Sequence, residues 1–205
     1  YSVWSRICQT NTDDRLKLLL NTKAKDDFFA SLNIDLRKTS AIENIICFDV
    51  SHLSGSSTVG SCVWFTREGP QKNLYRRYNI LDVKKSDDYG AMKFILYKRL
   101  KKLKQENNLP ELIIVDGGKG QITQAQSVLK ELEIFKLDVL GGVKGHKRRT
   151  DNDRILDISF NDITITLSDH TIKVIQQMRD ESHRFAIMGQ RKKANSKQYN
   201  SKLDS

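Results

Sequence analysis

The hydrophobic period of this chain changes once, near residue 85, and that change narrows the folds open to it. Before it, apolar residues cluster in three short runs rich in β-branched and aromatic side chains. Ile45–His52 (IICFDVSH), Thr58–Thr66 (TVGSCVWFT) and Leu74–Leu81 (LYRRYNIL) read as strands, with turns expected at residues 54–57 (SGSS) and at Gly69-Pro70. After it, Met92, Ile95, Leu96, Leu100 and Leu103 recur at helical spacing between Asp87 and Asn107, and Pro110 is expected to stop that helix. A short apolar strand, Leu112–Asp116 (LIIVD), leads through glycines into a helix over Gln121–Leu132. A strand at Asp138–Val143, a basic loop at Lys144–Arg154, weak strands at Ile155–Ser159 and Ile163–Leu167 and a helix at Ser168–Met188 complete the pattern.

The order β-β-β-α-β-α-β, then a hairpin and a closing helix, predicts an α/β fold. A three-stranded antiparallel meander is extended by β-α-β units, giving a mixed sheet with helices on its faces. This is the order of ribonuclease-H-like folds. In such a fold the first strand is central and lies beside the strand that follows the first helix, so Asp49 and Asp116 become neighbours. Residues 1–40 are polar and of poor period, apart from Leu16, Leu18, Leu19, Leu20, Phe28, Phe29 and Leu32, and read as a connector or packing arm. Residues 41–190 read as the domain, and 191–205 as a basic tail.

Charge points to the partner. Thirty-five Lys and Arg against twenty-five Asp and Glu give a net charge of +10, which favours an anionic partner such as nucleic acid. Three cysteines, Cys8, Cys47 and Cys62, make an odd number without C-x-x-C spacing, which argues against a disulfide framework or a cysteine zinc site. The apolar runs are too short for a membrane span, and no signal peptide is recognised at the start, so a cytoplasmic setting is expected.

Several residues are candidates for chemistry. Asp49 interrupts an apolar strand between Phe48 and Val50, where a carboxylate is costly unless it is paired, bound to metal or hydrogen-bonded at a sheet end. Asp116 closes LIIVD just before the glycines of DGGKG, at the strand end where ligands of α/β sheets bind. Those glycines let a phosphate backbone approach and Lys119 adds a positive charge, although a plain helix-starting turn has the same pattern. The phosphate-loop patterns G-x-x-x-x-G-K-[ST] and G-x-G-x-x-G are absent, which argues against a nucleotide cofactor. On the last helix, Asp180 and His183 are three apart and share a face; His183 is either a ligand, an acid/base or part of a solvated face. Asp87 or Asp88 is a candidate N-cap, with Asp88 a supporting site candidate. His52, His146 and His170 lack metal-ligand spacing. Basic clusters around Arg77, in the loop after Lys144 and at Arg191, Lys192 and Lys193 suit phosphate contacts without base reading.

Taken in order, FDVSH at 48–52, the GPxKxxYRRYNI pattern at 69–80, DDYxAM at 87–92, LIIVDGGKGQ at 112–121 and QQMRDESHRFA at 176–186 resemble the C-terminal half of the UvrC family. UvrC is the incision subunit of bacterial excinuclease ABC, and the resemblance spans residues 43–204. It implies a ribonuclease-H-like endonuclease domain that makes the 5′ incision at damaged double-stranded DNA in a complex with UvrB. It also implies catalytic and metal-binding roles for Asp49, Asp116 and His183, with Mg²⁺ or Mn²⁺, and importance for Asp88. Lys119 and Arg184 then become candidates to grip phosphate. The family's GIY-YIG nuclease, cysteine cluster, UvrB-binding segment and helix-hairpin-helix domain are not found in this sequence, so a fragment is expected. A Gly141-Gly142-Val143-Lys144 run stands where a Gly-Val-Ala-Lys type is expected. Two further readings stay open: another ribonuclease-H-like nuclease such as a junction resolvase, and a catalytically silent DNA- or protein-binding module on the same fold.

Overall fold

A computed structural model describes residues 23–36, 41–52, 58–80, 87–143 and 153–201, with backbone only for 23–27 and 189–201. The expected turn at 54–57, the end of the third strand at Leu81, most of the basic loop with His146, and Leu16–Leu20 lie outside the described residues. The elements are α1 (Lys23–Asp35), β1 (Asn44–His52), β2 (Thr58–Thr66), β3 (Gly69–Pro70), β4 (Arg76–Ile80), α2 (Asp88–Gln105), β5 (Leu112–Asp116), α3 (Lys119–Glu131), β6 (Asp138–Val143), β7 (Arg154–Leu156) and α4 (Asp169–Ser201).

They build a seven-stranded mixed sheet in the order β3-β2-β1-β5-β6-β7, with β4 also paired to β2. The meander is antiparallel: β1 runs against β2, and β2 against β4. The crossovers make β5 parallel to β1 and β6 parallel to β5, and β7 returns antiparallel to β6. This is the ribonuclease-H-like arrangement expected from the element order, with β1 central beside β5. Strands covered on both faces need near-continuous apolar runs. Accordingly Ile45 to Phe48, Cys62 to Phe65 and Leu112 to Val115 are all buried.

The helices close the two faces through apolar stripes. α2 buries Met92, Ile95, Leu96, Leu100 and Leu103, and α3 buries Ile122, Ala125, Val128 and Leu129. Asp87 caps α2, its Oδ1 accepting the Gly90 N–H at 2.7 Å. α2 stops before Pro110: Asn107 adopts φ +51° and the Asn108 N–H returns to the Leu103 carbonyl at 2.9 Å. α1 places Phe28, Phe29 and Leu32 in the main core.

Three local expectations are corrected. Gly69-Pro70 is not just a turn but a two-residue strand on β2, followed by a 3-10 turn at Lys72–Leu74, so the third strand begins at Arg76. The second weak strand is reduced to a single bridge between Leu156 and Asp162, and Thr164–Thr166 forms a 3-10 turn. Side chains cause this: Asp157 accepts the Ser159 and Asn161 N–H groups, and Asp162 accepts the Thr164 N–H and hydroxyl. Such local bonds compete with a ladder. The last helix also continues beyond Met188, to Ser201.

Cys47 and Cys62 are fully buried, and burial pushes both thiols up, Cys62 to about 12. At pH 8–9 they stay protonated in the folded chain. With Cys8 replaced by serine, we expect no labelling by a thiol reagent at pH 8 until denaturant unfolds the chain; rapid labelling of the native protein would contradict this core.

Candidate active site

The site forms where β1 and β5 run side by side. Their parallel register pairs Phe48 with Val115, so the next residues, Asp49 and Asp116, stand level on neighbouring strands. α4 crosses this end of the sheet. Its buried Thr171, Val174, Ile175, Met178, Ser182 and Ala186 recur at helical spacing and lie against the strands. Ser182 pins the helix: its hydroxyl is 3.3 Å from the Cys47 carbonyl and 2.7 Å from the Ser61 hydroxyl, which also lies 2.8 Å from the Ser182 carbonyl. With Ser182 anchored, its neighbours Arg179 and His183 face the two aspartates.

Ligand atoms of Asp49, Asp116 and His183 all lie within 4.8 Å of one another. His183 Nδ1 is 3.4 Å from Asp49 Oδ2 and 3.3 Å from the Ser51 hydroxyl. Ser51 donates to Asp49 Oδ2 at 2.6 Å. Asp49 is 3% exposed, whereas the His183 side chain is 46% exposed. Burial pushes the Asp49 carboxyl up, but hydrogen bonds from His183 and Ser51, the His183 charge and a contact with Asp116 outweigh it. Its pKa therefore falls below the ordinary carboxylate value. Asp116 is held from the other side: Arg179 Nε and Nη2 donate to its Oδ1 at 3.0 and 2.5 Å.

The glycines have distinct uses. Gly117, directly after Asp116, has φ +151°, and a Cβ there would sit 2.3 Å from Gln121 Cγ. Gly142 on β6 is level with Asp116, and a Cβ there would lie 2.5 Å from both Cδ and Nε of Arg179. The glycine expected to be atypical thus makes the passage for that arginine.

The other candidates are elsewhere. Asp88 opens α2 and pairs with His52 Nε2, outside the three-residue group. Asp180, expected to share a face with His183, is exposed; Arg179 faces the site instead. Lys119 is exposed at the start of α3. Arg77 donates to the Phe185 carbonyl and lies 4.5 Å from the Phe185 ring centroid, and burial lowers its pKa. Arg184 donates to both oxygens of buried Glu181, at 2.6 and 2.8 Å. Both arginines therefore have partners within the protein. Arg191, Lys192 and Lys193 continue α4, and their side chains are outside the described residues.

Sequence reasoning missed Ser51, Arg179 and Ser182. Ser51 lies two residues from Asp49, so strand alternation places both on one face. Arg179 lies four residues before His183, which places both on one face of a helix.

A ribonuclease-H-like sheet with two carboxylates and an imidazole converging beside its central strand defines the class: a nuclease-type domain. Residues 34–187 match the family profile described as the UvrC RNAse H endonuclease domain, and the chain belongs to that family. It is 44% identical to the UvrABC system protein C of Nitrosococcus oceani over 166 residues, covering 80% of this chain and 27% of that protein. It is 40% identical to that of Hahella chejuensis over 208 residues, covering 98% of this chain and 33% of that protein. The chain thus spans about a third or less of the length of these curated relatives. The catalytic domain of human Endonuclease V superposes with a TM-score of 0.47 at 16% identity, covering 95% of this chain and 97% of that one.

Because Asp49 titrates low when folded, its network stabilises the fold fully above the pH at which an unfolded aspartate titrates. That contribution is lost as pH falls through the lower folded pKa. Ser51→Ala should cost about 1.5–3 kcal/mol in urea unfolding at pH 7, and the difference should shrink toward pH 2. A cost that is the same at both pH values would contradict the bond to ionised Asp49.

Proposed function

We propose that this chain is the endonuclease domain that makes the 5′ incision at damaged double-stranded DNA in bacterial nucleotide excision repair, acting on DNA held with UvrB in the cytoplasm. The observation that carries the reading is the convergence of Asp49, Asp116 and His183 within 4.8 Å, on a chain of the UvrC endonuclease-domain family. Among the described residues no helix is long and apolar enough to cross a membrane.

The donor set fits a hard divalent cation. Two carboxylates offer oxygen and an imidazole offers nitrogen, all within 4.8 Å of one another, and the Asp49 carboxyl is held below the ordinary carboxylate pKa. Asp49, Asp116 and His183 would hold Mg²⁺ or Mn²⁺. When bound, such an ion supplies Lewis acidity toward a phosphoryl oxygen and the departing 3′-oxygen.

The chain's own groups do the rest. Hydrolysis adds hydroxide from water to phosphorus, breaks the bond to the 3′-oxygen and returns the proton to that oxygen. Asp49 stays ionised, and its contact with His183 Nδ1 sets the ring orientation. The exposed part of His183 faces solvent, where it can exchange a proton or meet the phosphodiester. Lys119 at the start of α3 and Arg191, Lys192 and Lys193 along α4 are assigned to the DNA backbone, while Arg77 and Arg184 hold α4 in place.

The test is incision of a lesion-bearing duplex reconstituted with UvrA and UvrB. Asp49→Ala, Asp116→Ala and His183→Ala should each lower 5′ incision on the order of a hundredfold or more with DNA affinity near native, each variant still melting cooperatively, at a lower temperature for the two aspartates because Ser51 and Arg179 lose buried partners. Folded variants that incise at the native rate would reject the site. Replacing Lys192 and Lys193 by alanine should weaken DNA binding and flatten its salt dependence by about 1–2 in the slope of log K against log salt. An unchanged slope would remove the tail from the interface.

A further inference from the structure

We infer that Tyr89 is a DNA-contacting residue whose ring gives the substrate strand an apolar rest at the rim of the site. The inference rests on the DNA-incision reading above. Tyr89 sits in the first turn of α2 beside Asp88, and Asp88 pairs with His52, the last residue of β1. β1 and β5 are parallel, so this is also the end of the sheet at which α3 starts, just after Asp116. The ring of Tyr89 reaches across to that start, at Gly120. It thus spans from the end of the strand that carries Asp49 to the turn beyond the strand that carries Asp116.

The ring is seated there. Gly120 has no side chain, and a Cβ at that position would lie within 2.6 Å of Cε1, Cζ and Oη of Tyr89. The hydroxyl-bearing edge of the ring therefore fills the room that any larger residue would need. Tyr89 also lies three residues before Met92 and continues the buried stripe of α2. Met92 is fully buried, whereas Tyr89 is 54% exposed. The stripe thus ends in a large aromatic ring held at its tip and open to solvent over about half its surface.

Such a ring is ordered before a ligand arrives, so little conformational freedom is lost on contact. Its open surface fits the flat apolar face of a nucleoside, either base or sugar. Every nucleotide offers such a face, so the contact reads no sequence, as an incision placed by damage requires. Exposed Lys119, the neighbour of Gly120, adds a positive charge beside the ring. An aromatic platform next to a cation is the combination that holds nucleic-acid strands without base reading. The ring fixes the path of the strand, and Asp49, Asp116 and His183 act on its phosphate.

Three variants of the full chain test this by fluorescence anisotropy over a range of salt. The probes are a fully paired duplex and a duplex with a short unpaired segment, and each variant is checked by thermal melting. Tyr89→Leu removes the ring, Tyr89→Phe removes only the hydroxyl, and Gly120→Ala pushes the ring off its seat with every charge in place. Tyr89→Leu and Gly120→Ala should weaken binding by about fivefold or more. The slope of log K against log salt should not change, because no phosphate contact is lost. Tyr89→Phe should bind as the native chain does. A loss confined to the unpaired segment assigns the contact to a base, and an equal loss on both duplexes assigns it to a sugar. If Tyr89→Leu does not fold, Gly120→Ala decides. Native affinity in the folded variants, or a loss that Tyr89→Phe shares in full, would overturn the inference and leave the DNA reading standing. Failure of the native chain to bind either duplex would instead remove the DNA reading and this inference with it.

Discussion

Two carboxylates on adjacent strands set the terms for what is packed around them. The parallel pairing of β1 with β5 brings Asp49 level with Asp116. Like charges this close disfavour each other's ionisation unless opposite charge or hydrogen bonds intervene. α4 provides most of both: His183 for Asp49 and Arg179 for Asp116, with Ser51 of β1 completing the first network. The buried Ser182–Ser61–Cys47 contacts hold the rotation of α4, so the counter-groups arrive at the correct face. The packing of this helix and the chemistry of the site are one problem solved by one set of residues.

The same region shows how small residues permit polar ones. Gly142 leaves room for Arg179, and Gly117 lets the chain turn sharply from β5 toward α3. The arginines near the site divide in the same way. Arg77 and Arg184 bind a carbonyl and a buried carboxylate on α4, so their charges support the helix that carries His183. Lys119 remains exposed at the start of α3 on the far side of the Gly117 turn.

Much of this was legible in the residues because the physics is local or periodic. The runs IICF and LIIV, short and rich in β-branched residues, read as strands covered on both faces, and the helical spacing from Met92 to Leu103 reads as α2. That order matches ribonuclease-H-like folds, and by that analogy Asp49 and Asp116 were placed side by side, as the register of β1 with β5 shows. At one place where sequence reasoning failed, side chains had outcompeted the backbone pattern. The apparent strand at Ile163–Leu167 gives way because Asp157 and Asp162 bind their own neighbours. Arg179 escaped notice because an arginine in a charged helix ordinarily reads as surface, and only the fold shows it buried against Asp116. Asp180 drew attention through its spacing from His183, yet it sits outside the cluster.

The central claim is that Asp49, Asp116 and His183 form one cation site on a nuclease-type sheet. Crystals of this chain soaked in Mn²⁺ and measured at the manganese edge test it most directly. The account predicts an anomalous peak about 2.0–2.4 Å from an oxygen of Asp49, with Asp116 or His183 completing the contact. Manganese bound only elsewhere, or no peak beside Asp49 at saturating Mn²⁺, would contradict it.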